Sequence, residues 1–276
     1  MAKKLPQLTP RPIRRFGWRP DTPDNRDRAF SHLAAMRRIK QRVPALVDLR
    51  LSGLLPPVYD QGELGSCTAN AIGAAYEYQQ RKQNLESYMP SRLFIYYGER
   101  QIEGTINSDA GAEIRDGMKV VANLGAPHED LWPYDITKFA RKPSPATYVD
   151  AAKHNCLAYE SVEVSALAVK AALAAGHPVI IGFTVYESFN NISKDGRMPL
   201  PKPTEKVEGG HAVLVVGYRK MKLKGTSTTT DHAIVRNSWG TDWAAKGYFY
   251  MPLKWLCNTD NADDFWTLNI TEGDAP

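Results

Sequence analysis

The sequence predicts an α+β protein with two lobes, the first mainly helical and the second a twisted β-structure. Apolar residues recur at helical spacing from Cys67 to about residue 125, whereas runs rich in β-formers follow Pro178. Glycine and proline separate these runs from one another. Because the helices precede the strands along the chain, the two kinds of element are expected to form separate lobes.

The helical half begins after a proline-rich stretch. Residues 45–62 read as extended chain that Pro56 and Pro57 stiffen, and the segment from Asp60 to Gly65 reads as a turn. Helices are predicted over residues 67–83, 91–103 and 111–125, where Gly125 is a natural terminator of the third. The chain from there to about residue 150 is predicted to be irregular.

The β half follows one more helix, predicted over residues 165–176. Strands are predicted over residues 178–186, 211–221, 232–239, 247–253 and 265–270. The predicted organisation is therefore a basic N-terminal arm (residues 1–44), a mainly helical lobe (residues 45–155) and a mainly β lobe (residues 156–276).

Composition is typical of a soluble globular protein, with 43% hydrophobic and 24% charged residues. Three cysteines cannot form a disulfide framework, and Cys156 and Cys257 read either as buried thiols or as one mutual bridge. The N-terminus shows no apolar run, and Pro178 interrupts the most apolar window, residues 166–185. We expect no membrane contact, and a protein that is cytoplasmic or exported without a secretory signal peptide.

The positive charge is concentrated in the arm. Residues 1–43 hold 12 Lys and Arg against 3 Asp, although the whole chain has a net charge of only +5. A basic arm suits either a nucleic acid or the acidic body of its own chain. Because the arm has few aromatic residues and the body is acidic, nucleic acid is the less favoured partner.

Three residues far apart in sequence have the chemistry of a nucleophilic site. Cys67 lies where a turn ends and a helix begins, and the helix N-terminus together with an imidazolium would lower the pKa of its thiol. His211 follows Gly209-Gly210 at the predicted start of a strand, so its ring can project into a cleft. Asn237, on the next strand, can accept from the imidazole N–H and fix the tautomer of the ring.

Neighbouring residues complete the predicted site. Gln61 precedes Cys67 by six residues, and its side-chain amide and the Cys67 backbone N–H can donate to an oxyanion. Trp239 can shield the bond between the histidine and the asparagine from water. The glycines of the turn leave room for a substrate backbone. The predicted substrate contacts in this region are Gly65, Ser66 and Trp239.

The motifs Q-G-x-x-G-S-C, G-H-A-V-x-x-V-G-Y and N-S-W-G, in this order, resemble the papain-like cysteine peptidases. The resemblance covers roughly residues 56–270 and implies a helical left lobe, an antiparallel β-barrel-like right lobe and an active-site cleft between them. It implies an endopeptidase that hydrolyses peptides or proteins through a thioester acyl-enzyme, without a cofactor. By position, Cys67 resembles the nucleophile, His211 the acid/base, Asn237 the orienting residue and Gln61 the oxyanion donor.

Two positions depart from the common pattern of the family. Leu64 stands where a disulfide cysteine is usual, and Thr68 stands where a tryptophan is usual. Together with QGELGSCTAN, these departures resemble the disulfide-poor, xylellain-like bacterial branch.

The resemblance also places substrate subsites. Gly111, in SDAGAE, corresponds to the cleft wall that bonds a substrate backbone. Gly182, Ala212 and Ile114 correspond to the hydrophobic second pocket. Because residues 182 and 212 are small, we expect a preference for a bulky apolar or aromatic side chain at the second position before the cut bond.

Two roles are open for the arm. As a built-in pro-segment it would place Phe16 and Trp18 in the cleft. The opposite charges of the arm and the body favour this role. As a plain extension it would pack on the back of the β lobe and regulate nothing.

Two other functions stay open, because the same motifs suit them. An amidase or peptide ligase would use the same four residues, and a catalytically retired peptide-binding module would keep the fold, although the intact set argues against it. The histidines show no metal-ligand spacing, so no metal site is predicted. These histidines are His32, His128, His154, His177, His211 and His232.

Overall fold

A computed structural model describes residues 15–31 and 43–270. Within them the chain forms helices followed by an antiparallel sheet, as the sequence predicts. The described α-helices are α1 (Cys67–Lys82), α2 (Arg92–Ile102), α3 (Ile114–Asn123), α4 (Pro145–Ala151), α5 (Ala166–Ala174) and α6 (Leu253–Leu256). The described strands are β1 (Val47–Asp48), β2 (Ala158–Ser161), β3 (Val179–Tyr186), β4 (Val207–Lys222), β5 (Thr229–Arg236), β6 (Tyr248–Pro252) and β7 (Ala262–Asn269).

Helix α1 is the central element of the fold. It packs against α2 and α3 on one side and against β3, β4 and β7 on the other. Every residue from Cys67 to Gln80 is therefore buried, including Gln79. The sequence predicted a single apolar stripe on this helix, and that prediction was too narrow because the helix lies between two layers. The first residue of α1 consequently lies where the helical lobe meets the sheet.

The sheet has the strand order β2-β7-β3-β4-β5-β6, and every pairing between these strands is antiparallel. It is open, with β2 and β6 at its edges, so the expected barrel-like lobe is an incomplete description of a twisted open sheet. Strand β1 pairs with β4. Residues 47–48 thus join the sheet, although the sequence analysis assigned residues 45–155 to the helical lobe.

Several boundaries differ from the sequence expectations. Strand β4 begins at Val207, so His211 lies inside the strand and not at its start. Helix α4 lies in a segment predicted to be irregular; Ser144 caps it by accepting from the Thr147 N–H, and Pro145 occupies its first turn. Strand β2 was not predicted. Residues 31–43 of the arm, whose sequence is compatible with a short helix, lie almost wholly outside the described residues.

The cysteines are all free thiols, so the bridge between Cys156 and Cys257 is absent. The Cys156 thiol instead lies against the backbone carbonyls of Ala158 and Asn269, at 3.1 and 3.0 Å. Across residues 15–31 and 43–270, no helix combines the length and the apolar character needed to cross a membrane.

Candidate active site

The turn before α1 presents Cys67 at the junction of the two lobes. Asp60 accepts from the Gly62 N–H at 3.0 Å, and the Asp109 carboxylate accepts from the Gly65 N–H at 3.0 Å. Gly62 has a φ of +59°, a conformation that glycine adopts without strain. The Cys67 side chain is fully buried at the helix N-terminus. The turn is thus fixed from both sides around the sulfur.

His211 and Asn237 meet at the opposite wall. His211 Nε2 lies 2.8 Å from Asn237 Oδ1, which assigns the proton to Nε2 and leaves Nδ1 as the basic nitrogen. The same amide oxygen accepts from the Ser238 N–H at 2.8 Å, which fixes the orientation of the amide. Trp239 stacks on the imidazole at 5.0 Å between ring centroids. His211 Nδ1 has no hydrogen-bond partner among the described residues.

The two walls touch at the sulfur. Cys67 Sγ accepts from the Ala212 N–H at 3.3 Å, and Ala212 directly follows His211 in β4. The thiol therefore lies against the backbone next to His211 even though 144 positions separate the cysteine and the histidine in the chain. The order of the motifs along the chain does not show how close Cys67 and His211 are in space. The packing of α1 on β4 brings their two segments together.

Gln61 is held in the same turn. Its Oε1 accepts from the Ser238 hydroxyl at 2.6 Å, which directs Nε2 toward the cleft. Nε2 donates to two backbone carbonyls, that of Leu64 at 2.9 Å and that of Arg15 at 3.1 Å. The second acceptor belongs to the N-terminal arm. An arm carbonyl thus occupies the donor that the sequence analysis assigned to an oxyanion.

Residues 15–18 of the arm, here called the cleft segment, span both lobes. The Gly17 carbonyl accepts from the Ala112 N–H at 2.7 Å, and the Trp18 N–H donates to the Gly210 carbonyl at 2.9 Å. The Gly17 backbone also lies beside Cys67, where it acts to lower the pKa of the thiol. The fit is close, since a Cβ on Gly17 would lie 1.8 Å from the Gly65 carbonyl oxygen.

The aromatic residues of the cleft segment fill the space on each side of Gly17. The Phe16 ring lies edge-on to His211, with 5.7 Å between ring centroids, and 5.9 Å from the ring of Trp239. The Trp18 indole lies over Gly182, where an added Cβ would be 2.0 Å from the indole. The Phe16 ring consequently covers His211, and the Trp18 indole covers Gly182.

Residues 19–30, here called the anchor segment, run on over the surface of the body. Arg19 forms an ion pair with Glu103, and Arg28 lies 3.9 Å from Glu160. The Phe30 N–H donates to the Ser161 carbonyl at 2.7 Å, and its ring is buried. The arm charge noted in the sequence is thus partly matched by carboxylates of the body.

Two carboxyl groups face each other beneath the anchor segment. Asp264 accepts from the Asp21 N–H at 2.7 Å and from the Trp18 indole at 2.9 Å. Asp21 accepts from the Trp266 indole at 2.8 Å and from the Arg115 N–H at 3.0 Å. Burial raises the pKa of both carboxyl groups, to about 7 for Asp21 and to about 6 for Asp264. Repulsion by Asp264 adds to the shift of Asp21, and repulsion by Asp263 adds to that of Asp264.

The burial of Cys67 and His211 changes their protonation. Burial raises the pKa of Cys67 to about 12 and lowers that of His211 to about 4. At neutral pH the covered pair is therefore a thiol and a neutral imidazole, whereas the sequence analysis expected a thiolate beside an imidazolium. Solvent access to the site would favour the charged pair, because burial disfavours both charged forms.

The remaining predicted residues lie as follows. Gly111 has a φ of +72° and lies under the arm, because an added Cβ would be 2.1 Å from the Gly17 carbonyl oxygen. Ser66 points away from the cleft, with its hydroxyl bonded to Tyr134 and to Asn70. Its side chain supports the turn, and only its backbone is available to a substrate. Ile114 is buried at the start of α3.

Sequence reasoning missed two residues that position the site. Asp109 binds the Gly65 N–H and the Tyr96 hydroxyl, and it pairs with Arg15 of the arm. Ser238 orients Gln61. Asp109 lies in the SDAGAE segment and Ser238 in the N-S-W-G motif. Both motifs were recognised, but a motif does not show which groups these two side chains bind.

Comparison with known proteins agrees with this geometry. Residues 43–263 match the family described as papain family cysteine protease. The chain belongs to the papain family of cysteine proteases. It is accordingly a hydrolase, a cysteine-type endopeptidase that acts on peptide bonds of peptide or protein substrates.

Individual relatives support this assignment. The peptidase C1-like protein L477 of Acanthamoeba polyphaga mimivirus is 37% identical over 277 residues, with coverage of 92% of this chain and 86% of that protein. The crystal structure of xylellain, a cysteine protease from Xylella fastidiosa, superposes with a TM-score of 0.81 at 39% identity and covers 96% and 99% of the two chains. Cathepsin K of Gallus gallus is 32% identical over 81% of this chain and 64% of its own length.

Proposed function

We propose that Cys67 is the nucleophile of this peptidase, and that the N-terminal arm restrains it. His211 Nδ1 takes the thiol proton, and the thiolate attacks the carbonyl carbon of the peptide bond. The Gln61 amide and the Cys67 N–H donate to the oxyanion. His211 then protonates the leaving amine, and water hydrolyses the thioester. Asn237 holds the ring, and Trp239 covers the bond between them.

One observation carries the proposal: the backbone of the arm engages the same groups that a substrate would use. The Arg15 carbonyl accepts from Gln61 at 3.1 Å, and the Gly17 backbone lies against Gly65 in the turn that presents Cys67. The Gly17 carbonyl and the Trp18 N–H bind Ala112 and Gly210 on the two sides of the cleft. The cleft segment therefore occupies the site as an inhibitor would.

The position of Trp18 supports the proposed second pocket. The indole lies over Gly182, and the Ala212 side chain is fully buried beside the sulfur. We propose that Gly182, Ala212 and Ile114 accept an aromatic or bulky apolar side chain, with Gly65, Ser66 and Gly111 at the substrate backbone. Fluorogenic peptides varied at the second position before the cut bond test this, and a preference for alanine over phenylalanine would contradict it.

The free cysteines favour a reducing compartment, because nothing in the described fold depends on a disulfide. We propose a cytoplasmic protein, or one exported without a secretory signal peptide. Fractionation of the producing cells distinguishes the two.

The restraint is tested by cutting the chain after it has folded. A recognition site for a specific protease inserted between residues 31 and 43 allows the arm to be cut and removed. An epoxysuccinyl inhibitor, which alkylates active-site thiols, is added before and after the cut. We expect labelling of Cys67 to accelerate by at least about tenfold once the arm has dissociated.

Cys257 serves as the internal control for this experiment. Its side chain is half-buried and remote from the cleft, so its alkylation by iodoacetamide should not change with the cut. Equal labelling of Cys67 before and after removal would refute the restraint but not the nucleophile. Absence of label on Cys67 after removal would refute the nucleophile.

A further inference from the structure

A second histidine cluster lies in the helical lobe, apart from the active site. His128 precedes α4, Asp150 lies in its last turn, and His154 follows it. His128 Nδ1 is 2.9 Å from Asp150 Oδ2, and His154 Nε2 is 3.8 Å from Asp150 Oδ1. One donor atom from each residue lies within 4.8 Å of the other two.

These donors have the chemistry of a divalent transition-metal site. Two imidazoles and one carboxylate are ordinary ligands of Zn²⁺, with bonds of about 2.0–2.1 Å, so neighbouring ligand atoms in a tetrahedron lie roughly 3.3 Å apart. The two measured nitrogen–oxygen separations, 2.9 and 3.8 Å, reach the two different oxygens of Asp150. Because one donor atom from each residue lies within 4.8 Å of the other two, side-chain rotations that move the donor atoms by roughly 1.5 Å or less would bring them to tetrahedral spacing.

One tyrosine fixes both imidazole rings. Tyr88 stacks on His128 at 3.8 Å between centroids and meets His154 edge-on at 5.1 Å. Its hydroxyl donates to the Ala126 carbonyl at 2.7 Å. The Asp150 carboxylate also accepts from the His128 backbone N–H at 3.1 Å. The ligand set is thus held in place before any ion arrives, which reduces the entropy lost on binding.

The cluster is also accessible. The side chains of His128, Asp150 and His154 are 30%, 17% and 27% exposed. An ion can therefore enter from solvent and keep a water molecule as its fourth ligand. The sequence analysis missed the cluster because only Asp150 and His154 are close in sequence, whereas His128 lies 22 residues before Asp150.

We propose that His128, Asp150 and His154 form a zinc site that joins the segment around residue 128 to the C-terminal end of α4. That segment continues into Glu129, which pairs with Arg92 at 2.7 Å, and into Tyr134, whose hydroxyl donates to the Gln61 carbonyl at 3.0 Å. The ion would act on stability, and it touches no residue of the catalytic set.

The test is a calorimetric titration of the full chain with zinc chloride. The chain carries Cys67→Ser, so that the catalytic thiol cannot bind the metal. We expect one zinc per chain, and at least about tenfold weaker binding in His128→Gln and in His154→Gln. His232→Gln is the matched control, because His232 lies in β5 with Nδ1 at 3.0 Å from the Thr230 carbonyl oxygen.

A thermal-unfolding series accompanies the titration. Zinc should raise the unfolding temperature of the parent and of His232→Gln, and it should not raise that of His154→Gln. Circular dichroism without metal shows whether each variant is folded. Failure of the parent to bind zinc, or equal binding by the parent and both cluster variants, would overturn the proposal, since the ion would then be absent or held elsewhere.

Discussion

The cleft segment and the anchor segment belong to one arm, yet they hold the body by different forces. Residues 15–18 use backbone hydrogen bonds and rings, with Gly17 against the turn of the nucleophile. Residues 19–30 rely largely on charged groups, such as the ion pairs of Arg19 with Glu103 and of Asp27 with Arg115. Contacts in a dry cleft respond little to pH or salt, whereas partly exposed charges respond to both. On our proposal the first segment blocks the site, and the second sets the conditions under which it stays blocked.

The largest expected effect is that of Cys67→Ser, which removes the nucleophile whatever the arm does. A serine hydroxyl is a far weaker nucleophile beside a neutral imidazole, so peptide hydrolysis should fall by at least about 10⁴-fold. The loss should be equal in the intact and the cut chain, as measured with a fluorogenic peptide. Activity within tenfold of the parent would contradict the assigned role.

Gln61→Ala should lower kcat by about 10²–10³-fold in the cut chain, because one oxyanion donor is lost. In the intact chain the same change also removes the bond to the Arg15 carbonyl, so the arm should be released more easily. Kinetics on both forms separate the two effects. Gln101→Ala, at an exposed position of α2, is the control and should match the parent.

Trp18→Ala should activate the intact chain. Truncating a buried tryptophan removes about 3–5 kcal/mol of packing, so the ratio of open to closed chains should rise about 10²–10³-fold or more, up to the activity of the cut chain. Trp18→Phe keeps a ring but loses the bond to Asp264, and it should give an intermediate rate. If Trp18→Ala is no more active than the parent, the cleft segment is not the block.

A smaller effect concerns the carboxyl group of Asp21 in the anchor segment and that of Asp264 in β7. The pKa values of Asp21 and Asp264 are raised by burial in the closed arm, so the closed state binds protons that the open state releases. The stability of the closed arm should therefore fall as the pH rises from about 4 to about 7. Asp263 and Arg115 also face this pair and shift its titration.

Asp264→Asn tests that dependence. Asparagine keeps an acceptor for Trp18, tolerates the φ of +56° at this position and cannot ionise. The measured quantity is the rate of Cys67 labelling in the parent divided by the rate in the variant. Because both proteins contain the same thiol, the pH dependence of the thiol itself cancels in this ratio. We expect a ratio near one at acid pH and a severalfold excess for the parent above neutrality. A ratio that does not change with pH would exclude the carboxyl pair as the cause.

The smallest effect is expected from Arg15→Ala. The Arg15 side chain is 59% exposed in its ion pair with Asp109, and exposed pairs contribute about 0–1 kcal/mol. The backbone carbonyl that binds Gln61 stays in place. Activation of the intact chain should be less than about fivefold and should vanish at high salt. A larger effect that persists in high salt would mean that the side chain, and not the backbone, closes this end of the cleft.

The fold class and the four central residues could be predicted because each depends on local sequence. Cys67 and Gln61 share one turn, and Asn237 lies in a short motif. The apolar periodicity gave three of the helices within a few residues, since their boundaries depend on nearby turn and capping residues. Helix α4 was missed because its signal is a single cap, Ser144, followed by Pro145 in a proline-rich stretch.

The features of the site that could not be predicted from the sequence depend on contacts between residues far apart in the chain. Asp21 and Asp264 are 243 positions apart, and no pattern in either neighbourhood joins them. The protonation of Cys67 and His211 was predicted from an open cleft, whereas burial leaves both groups uncharged. Ser66 was assigned to substrate from its place beside the nucleophile, but only its backbone can serve there, because its hydroxyl binds Tyr134.

Gly17 has no side-chain carbon, and the close contact of the arm with the turn requires this. Any other amino acid there would collide with the backbone of residue 65, at a contact of 1.8 Å. If the arm restrains the enzyme as we propose, latency depends on a codon that most single-base changes turn into that of a larger residue. Such an enzyme would stand one mutation from permanent activity, with its substrate groove and its chemistry untouched.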